Sequence, residues 1–457
     1  MTMARAGAPD PAVARYTTMA VPRYTSYPTV PHFHDRVDGG VQRGWLERLD
    51  PRRPVSVYLH VPFCRELCWY CGCNMKLAAR YAPVVDYIET LLEEIELVAR
   101  VAPGRLRVGH LHWGGGTPTV LTPDDLERVM DTVRSRFDLE PDAEIAIESD
   151  PRTLTDAMAR RIGTLGFTRA SFGVQEFDPK VQQAINRIQP PEMVAASVDG
   201  LRAAGVGGIN FDLIYGLPHQ TVDTLLATVE RCAAIGPDRL ALFGYAHVPW
   251  MAKKQRLIDA DALPGAAERL TQAAAAAAAL EGAGYAAVGL DHFATPDDAL
   301  AVAARDGTLR RNFQGYTTDP AETLIGLGAT AIGRTPDGYV QNFSDTGRWA
   351  KAVREGSLPV AKGIAIDDED RLRAAVIEAL MCFGKVDTTQ AGARFGRDAG
   401  WAADALRALE PMAAEGLVTA ADGMVAVTGR GRPLLRVIAA AFDTYRAASQ
   451  ARHSVAV

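Results

Sequence analysis

Between residues 55 and 243 short, β-branched apolar runs alternate with longer stretches of helical spacing. Val55 to Leu59 reads as a strand, and Ala82 to Val101 sets Val85, Ile88, Leu92 and Ile95 on one helical face. Val108 to Trp113 and Thr122 to Phe137 repeat the pair, with Asp124 and Asp125 at the end of the helix where the dipole favours acids. Glu144 to Ile147, Thr168 to Phe172, Gly208 to Ile214 and Arg239 to Phe243 read as four further strands. Helices are expected at 153–165, 178–187, 191–204 and 221–235. Strands that alternate with helices pair in parallel. Six such units in one run predict an α/β fold, a partial or full (β/α) barrel. Chemistry in a barrel sits at the C-terminal ends of the strands. A polar residue just past a strand is therefore a candidate.

The flanks read differently. Residues 1–50 are rich in proline and aromatics, ending in Arg23-Tyr24-Thr25-Ser26-Tyr27-Pro28-Thr29, and form an irregular arm. Residues 51–365 hold the barrel and an extension. Residues 366–457 form a mainly helical module. Within that module Asp367 to Leu380, Trp401 to Glu415 and Leu434 to Tyr445 read as helices. Leu417 to Val427 reads as a hairpin turning at Asp422-Gly423. The order is winged-helix-like, but fold alone carries no function.

Composition narrows the classes. Of 457 residues 48% are hydrophobic and 23% charged, as in folded globular chains. The formal charge of −6 gives no general pull toward phosphate backbones, so no nucleic-acid partner is expected. No segment reaches the roughly 18 apolar residues of a membrane span. The seven alanines from Ala273 to Ala279 read as an ordinary helix, ended near Glu281, Gly282 and Gly284. Met1 to Arg15 lacks the apolar stretch of a signal peptide. No membrane partner, a cytoplasmic location and a monomer are expected.

Four of the six cysteines, Cys64, Cys68, Cys71 and Cys73, fall within ten residues directly after the first strand. A disulfide framework does not suit so large a chain. Structural zinc needs a second ligand pair at a longer spacer, which is missing here. The ferredoxin run has two-residue gaps, whereas the first gap here is three. Cys232 and Cys382 lie within helical patterns and read as buried thiols.

The C-x3-C-x2-C spacing at the mouth of a first barrel strand resembles the radical S-adenosylmethionine (SAM) superfamily. Other segments narrow the resemblance. They are Tyr58 to Cys64, Cys71-Gly72-Cys73-Asn74, Trp113-Gly114-Gly115-Gly116-Thr117-Pro118-Thr119, Glu148-Ser149-Asp150-Pro151 and Gly173-Val174-Gln175. Asn186-Arg187, Asp212 to Pro218, Gly289 to Ala294 and Asn312 to Thr318 complete the set. Together they resemble the oxygen-independent coproporphyrinogen III oxidase family from about Arg23 to the last helix. One departure is Phe383, where the family more often has asparagine after the cysteine.

The resemblance implies a [4Fe–4S] cluster on Cys64, Cys68 and Cys71, with one iron left to SAM; Cys73 is not assigned as a ligand. It implies two SAM molecules. Tyr58, Gly115, Glu148 and Ile332 would meet the first. Tyr70, Gly116, Thr117, Gln175, Arg187 and Asp212 would meet the second, with Ala246 beside the adenosyl group. Tyr58, Glu148, Phe313 and Gln314 would lie nearest the reaction. On their own, Glu148 would read as a solvated strand end and Tyr70 as core. Asp212, between Phe211 and Leu213, is harder to read as a surface charge, because burying it needs partners. His60, His112 and His292 read as structural histidines.

The implied reaction converts two propionates of coproporphyrinogen III to vinyl groups, giving protoporphyrinogen IX in haem biosynthesis. A 5′-deoxyadenosyl radical from SAM would take a hydrogen atom from the propionate β-carbon, and an unidentified donor and acceptor would handle single electrons. The substrate's four carboxylates call for cations, and Arg310 and Arg311 are candidates. The rivals are a haem chaperone of the same superfamily, a radical SAM enzyme that methylates or opens haem, and a zinc protein with a DNA-binding module.

Overall fold

A computed structural model describes residues 10–446. Residues 1–9 and 447–457, the outer ends of the expected arm and C-terminal module, lie outside that description.

The six expected strands are present as β1 (Val55–Val61), β2 (Arg107–Gly115), β3 (Asp138–Ser149), β4 (Arg169–Gln175), β5 (Gly208–Tyr215) and β6 (Arg239–Gly244). Six more join the same sheet: β7 (Ala286–Val288), β8 (His292–Ala294), β9 (Leu324–Leu327), β10 (Ile332–Thr335), β11 (Gly338–Asn342) and β12 (Val360–Ala365). Their order is β12-β11-β10-β9-β1-β2-β3-β4-β5-β6-β8-β7. Strands β9 and β1 to β6 run parallel. The outer strands on both sides run antiparallel. Strands β12 and β7 do not pair, so the architecture is a partial barrel. The later strands are three to six residues long and broken by glycines, too short to show a period.

One face of the central strands is apolar and buried, with Val57, Leu59, Trp113, Ile147, Phe172 and Phe211 carrying no exposed surface, while alternate positions such as His112, Glu148 and Asp212 turn into the lumen. Two carboxyls, Glu94 and Glu176, are buried in this core. Glu94, on helix Ala82–Val101, accepts from the Gly328 N–H at 2.6 Å, Asn342 Nδ2 at 2.7 Å and Trp349 Nε1 at 3.1 Å. It ties the helix to the segment between β9 and β10 and to β11. Burial pushes its carboxyl up to about 7 despite those three donors.

The C-terminal module runs helix Asp368–Phe383, strand Lys385–Asp387, helices Thr388–Arg394 and Ala403–Ala414, then strands Val418–Ala421 and Met424–Val427. That order is the winged-helix order. The hairpin turns at Asp422 and Gly423, both at positive φ, as a type I′ turn requires. The expected single helix from Leu434 to Tyr445 breaks into short pieces ending at Phe442. Asp443 explains the break. Its carboxylate accepts from Tyr24 Oη at 2.9 Å and from the Tyr445 and Arg446 amides, so the chain turns away.

The arm includes helix Gly39–Glu47, and its residues Val13, Val21, Tyr24 and Tyr27 pack into the core of the C-terminal module. Val37 and Trp45 pack on Val340 and Val360 of the sheet. Among the described residues no helix is long and apolar enough to cross a membrane.

Candidate active site

The cysteine loop leaves β1 and is pinned from several sides. The Trp69 amide donates to the Ile185 carbonyl, and Asn186 Nδ2 donates to the Leu67 carbonyl at 2.7 Å. Gln255 Nε2 reaches the Tyr70 carbonyl at 2.7 Å. Cys64 Sγ faces Thr117 Oγ1 at 3.5 Å. Cys68 Sγ accepts from Arg187 Nη1 at 3.3 Å and Arg152 Nη2 at 3.4 Å. The Cys73 amide donates to Cys71 Sγ at 3.4 Å. Hydrogen bonding from Cys73 pulls Cys71 down to about 6, whereas burial pushes Cys64 up to about 11. Among the described residues no three Cys, His, Asp or Glu side chains converge where one ion could sit.

The strand ends beside the loop carry the polar residues. In register, Tyr58 of β1 lies next to His112 of β2 on one side and Gly326 of β9 on the other. Tyr58 Oη meets His60 Nδ1 at 3.0 Å. Glu148, at the end of β3, accepts from the Gly115 amide at 3.0 Å and lies 3.4 Å from His112 Nε2. Burial would raise Glu148, but His112 and the amide hold it below the ordinary carboxylate value. Gly114 makes this arrangement possible: a Cβ there would sit 2.8 Å from Glu148 Oε1 and 2.9 Å from Tyr58 Oη. Gly115 has φ +118, and a Cβ would strike the His60 ring. The Gly116 and Thr117 amides donate to the carbonyls of Val61 and Phe63, which locks the glycine run against the cysteine loop.

Asp212 of β5 faces the lumen of the sheet. Burial and the charge of Glu148 push it up to about 7. Arg187 is anchored on the Gly173 carbonyl at 2.6 and 3.0 Å and approaches Asp150 at 3.4 Å. Burial opposes its charge, but Tyr70, Asp150 and Cys68 hold it firmly cationic. Gln175 ends β4 at φ 65. Tyr70 packs near Val181, Ile185, Leu217, Tyr245 and Ile258. The carbonyl of Ile332 lies against Gly326, beside Tyr58.

Two cavities meet here. The smaller, of about 170 Å³, is the lumen lined by His112, Glu148, Asp212, Phe243 and Gln314. The larger, of about 550 Å³, is lined by Ala246, Phe313 and also by Phe243 and Gln314. Phe313 and Gln314 form the tip of a hairpin, Arg310–Asn312 with Gly315–Thr317, which lies over β8 through Tyr316 and His292. Arg311 lines the larger cavity, but Arg310 points to Glu378 at 3.4 Å and does not. The pair expected together is split because neighbours in a strand face opposite ways.

Two residues beside the thiol loop escaped the sequence reading, while His112, read as a structural histidine, lies against Glu148. Asp150 and Arg152 form a salt bridge at 2.6 Å beside Cys68. The quoted segment Glu148 to Pro151 was their only signal. Cys232 and Cys382 are buried as expected.

The comparisons agree with this geometry. Residues 58–232 match the radical SAM superfamily, and residues 366–434 match the HemN C-terminal domain. The chain is 49% identical to the oxygen-independent coproporphyrinogen III oxidase of Bradyrhizobium diazoefficiens, over 97% of this chain and 98% of the relative. It is 41% identical to that of Salmonella typhimurium, over 93% of each. The structure of coproporphyrinogen III oxidase (HemN) from Escherichia coli, a radical SAM enzyme, superposes with a TM-score of 0.90 at 38% identity, covering 96% of this chain and 99% of that one. A protein matched from end to end at this identity, with the thiol loop and carboxylates in place, belongs to the oxygen-independent coproporphyrinogen III oxidase family of the radical SAM superfamily.

Proposed function

We propose that this chain decarboxylates two propionates of coproporphyrinogen III to vinyl groups, giving protoporphyrinogen IX in haem biosynthesis without oxygen. The observation that carries the reading is the junction of the cysteine loop, a lumen holding Glu148 and Asp212, and a larger cavity reached past Phe243 and Gln314. The same chain matches the family along its whole length. When bound, the [4Fe–4S] cluster and SAM supply an adenosyl radical able to take a hydrogen atom from a propionate β-carbon.

The residues then take these roles. Cys64, Cys68 and Cys71 hold the cluster, and Arg152 and Arg187 donate to the Cys68 sulfur and balance its charge. Thiolate formation at the buried Cys64 is coupled to metal binding. Glu148, kept ionised by His112, meets the SAM ammonium beside Gly115, with Tyr58 and Ile332 adjacent. The peptide of Gly115 is fixed by its own bond to Glu148. Tyr70, Gly116, Thr117, Gln175, Arg187, Asp212 and Ala246 form the second SAM site. Phe313 and Gln314 lie between that site and the substrate. The sheet's covered lumen keeps bulk water from the reacting centre. Single electrons enter from an external donor and leave to an external acceptor. The acidic charge and a cavity lined in part by the chain's own arm and module support a cytoplasmic monomer acting on a small molecule.

Anaerobic incubation of the cluster-loaded protein with SAM, a reductant and coproporphyrinogen III tests the proposal. Protoporphyrinogen IX and 5′-deoxyadenosine are expected. Tight haem binding with no decarboxylation would instead identify a haem chaperone.

A further inference from the structure

We propose that the larger cavity is a receptor for a tetracarboxylate, in which Arg23, Arg269, Arg311, Arg432 and Arg436 meet the carboxylates of the tetrapyrrole. The inference rests on the function proposed above and locates its substrate.

The five arginines come from distant parts of the chain and line one cavity of about 550 Å³. Arg23 belongs to the arm, Arg269 to helix Ala266–Gly282 and Arg311 to the hairpin. Arg432 and Arg436 belong to the C-terminal module. They sit at five positions around the wall, so a single phosphate does not explain them. Several carboxylates spread around a ring do.

Four of the five lack a direct carboxylate partner, although the charges of Arg311 and Arg23 help hold the nearby Asp291 carboxyl below its ordinary value after His292 does. Among the described residues no carboxylate lies within salt-bridge distance of Arg23, Arg269, Arg311 or Arg432. They donate to main-chain carbonyls: Gly244 for Arg23 at 3.3 Å, Tyr245 for Arg269 at 2.7 Å, Tyr24 and Arg23 for Arg311 at 3.2 Å each, and Gly289 for Arg432 at 2.8 Å. Arg269 Nε and Arg311 Nη1 are buried with no acceptor. Two acids do line the cavity. Glu281 is exposed, and Asp291 is bonded to His292 at 2.8 Å. The lumen shows the opposite practice: there Arg239 pairs with Asp298 at 2.7 Å, and Arg169 lies 3.3 Å from both Asp298 and Glu144. Arg239 and Arg169 thus have carboxylate partners that these cavity arginines lack, although Arg239 Nη2 is also buried without an acceptor. Leaving a group of them without acids is costly unless an anion completes the site. Burial and the nearby Arg23 charge bring Arg436 down to about 10, the direction expected of crowded cations.

The rest of the wall suits a flat macrocycle. Leu242, Phe243, Phe293 and Phe313 give apolar surface, and Ala273, Ala274 and Ala277 keep one side low. The alanine run, unremarkable in sequence, thus leaves room that longer side chains would fill. Phe243 and Gln314 join this cavity to the lumen with Glu148 and Asp212, so a propionate can approach the reacting centre while others stay on arginine.

Fluorescence titration of the full-length protein with coproporphyrin III, a tetracarboxylate, and mesoporphyrin IX, a dicarboxylate, tests the inference. The wild type is expected to prefer the tetracarboxylate, with an affinity that falls as salt rises. Arg269→Gln and Arg432→Gln each weaken coproporphyrin III binding by about tenfold or more, the loss expected for a charge-assisted hydrogen bond. They weaken mesoporphyrin binding less. Arg269→Lys recovers part of the loss, and Arg43→Gln, on the exposed face of helix Gly39–Glu47, leaves affinity unchanged. Thermal melting checks that each variant is folded. If the wild type prefers the tetracarboxylate but both Gln variants bind it as wild type does, the arginine receptor is wrong and the function stands. If the wild type shows no preference, the proposed substrate itself is wrong.

Discussion

Replacing Asp212 by Asn should stabilise the cluster-free protein while removing affinity for the second SAM, and both effects follow from where the carboxyl sits. Asp212 lies in the lumen with one strand, β4, between it and Glu148, and burial followed by the Glu148 charge raises it from 3.8 to about 7. The folded chain therefore keeps a proton that the unfolded chain releases between about pH 4 and 7. Stability falls as pH rises through that window, and the loss is complete above 7. The full shift corresponds to about 4 kcal/mol at about 1.36 kcal/mol per unit. Relaxation of the surrounding protein offsets part of it, so about 2–4 kcal/mol is expected at pH 8 and under about 2 kcal/mol at pH 5. Asparagine cannot ionise and escapes this loss. For cooperative unfolding of a chain this size, with an entropy of about 1 kcal/mol/K, the variant should melt about 2–4 °C above wild type at pH 8. The advantage should shrink toward pH 5. Scanning calorimetry on cluster-free protein at several pH values measures this. SAM added to the cluster-loaded enzyme should raise the melting temperature of wild type by more than that of the variant, which keeps the first SAM site and loses the second. A variant that melts below wild type at pH 8, or a difference independent of pH, refutes the reasoning. Stability withheld at this point is expected where a site must hold a charge ready for a cationic ligand.

Other perturbations read out different parts of the site. Cys64→Ala, Cys68→Ala and Cys71→Ala should each abolish the cluster, seen as lost iron and lost visible absorbance, whereas Cys73→Ala should keep it. Gly114→Ala should lower SAM affinity with little change in melting temperature, because its Cβ would sit 2.8 Å from Glu148 Oε1 rather than in the core; equilibrium binding of SAM checks this. Glu94→Ala should cost about 3 kcal/mol or more, since three buried donors lose their acceptor, and should show as a lower denaturation midpoint.

Much of the architecture follows from local pattern. The first six strands were legible because each carries a run of β-branched and apolar residues bounded by polar turns. The hairpin at Asp422-Gly423 was legible because its turn demands positive φ. The later strands were not, since Leu324–Leu327 or Gly338–Asn342 take their conformation from neighbours already in the sheet. The helix expected from Leu434 failed because its end is decided by Tyr24, some 419 residues away.

The candidate site divides the same way. The sequence by itself determined the cysteine spacing, the glycine run and the acidic strand ends, because each depends on residues a few positions apart. Tertiary structure alone decided that His112 steadies Glu148, that Arg152 and Arg187 both reach Cys68, and that Arg310 and Arg311 part company. It also gathered arginines from the arm, a helix, a hairpin and the C-terminal module around one cavity. No local pattern encodes that gathering, because electrostatic recognition depends on distance through space, and the chain closes such distances only when the sheet, arm and module pack together.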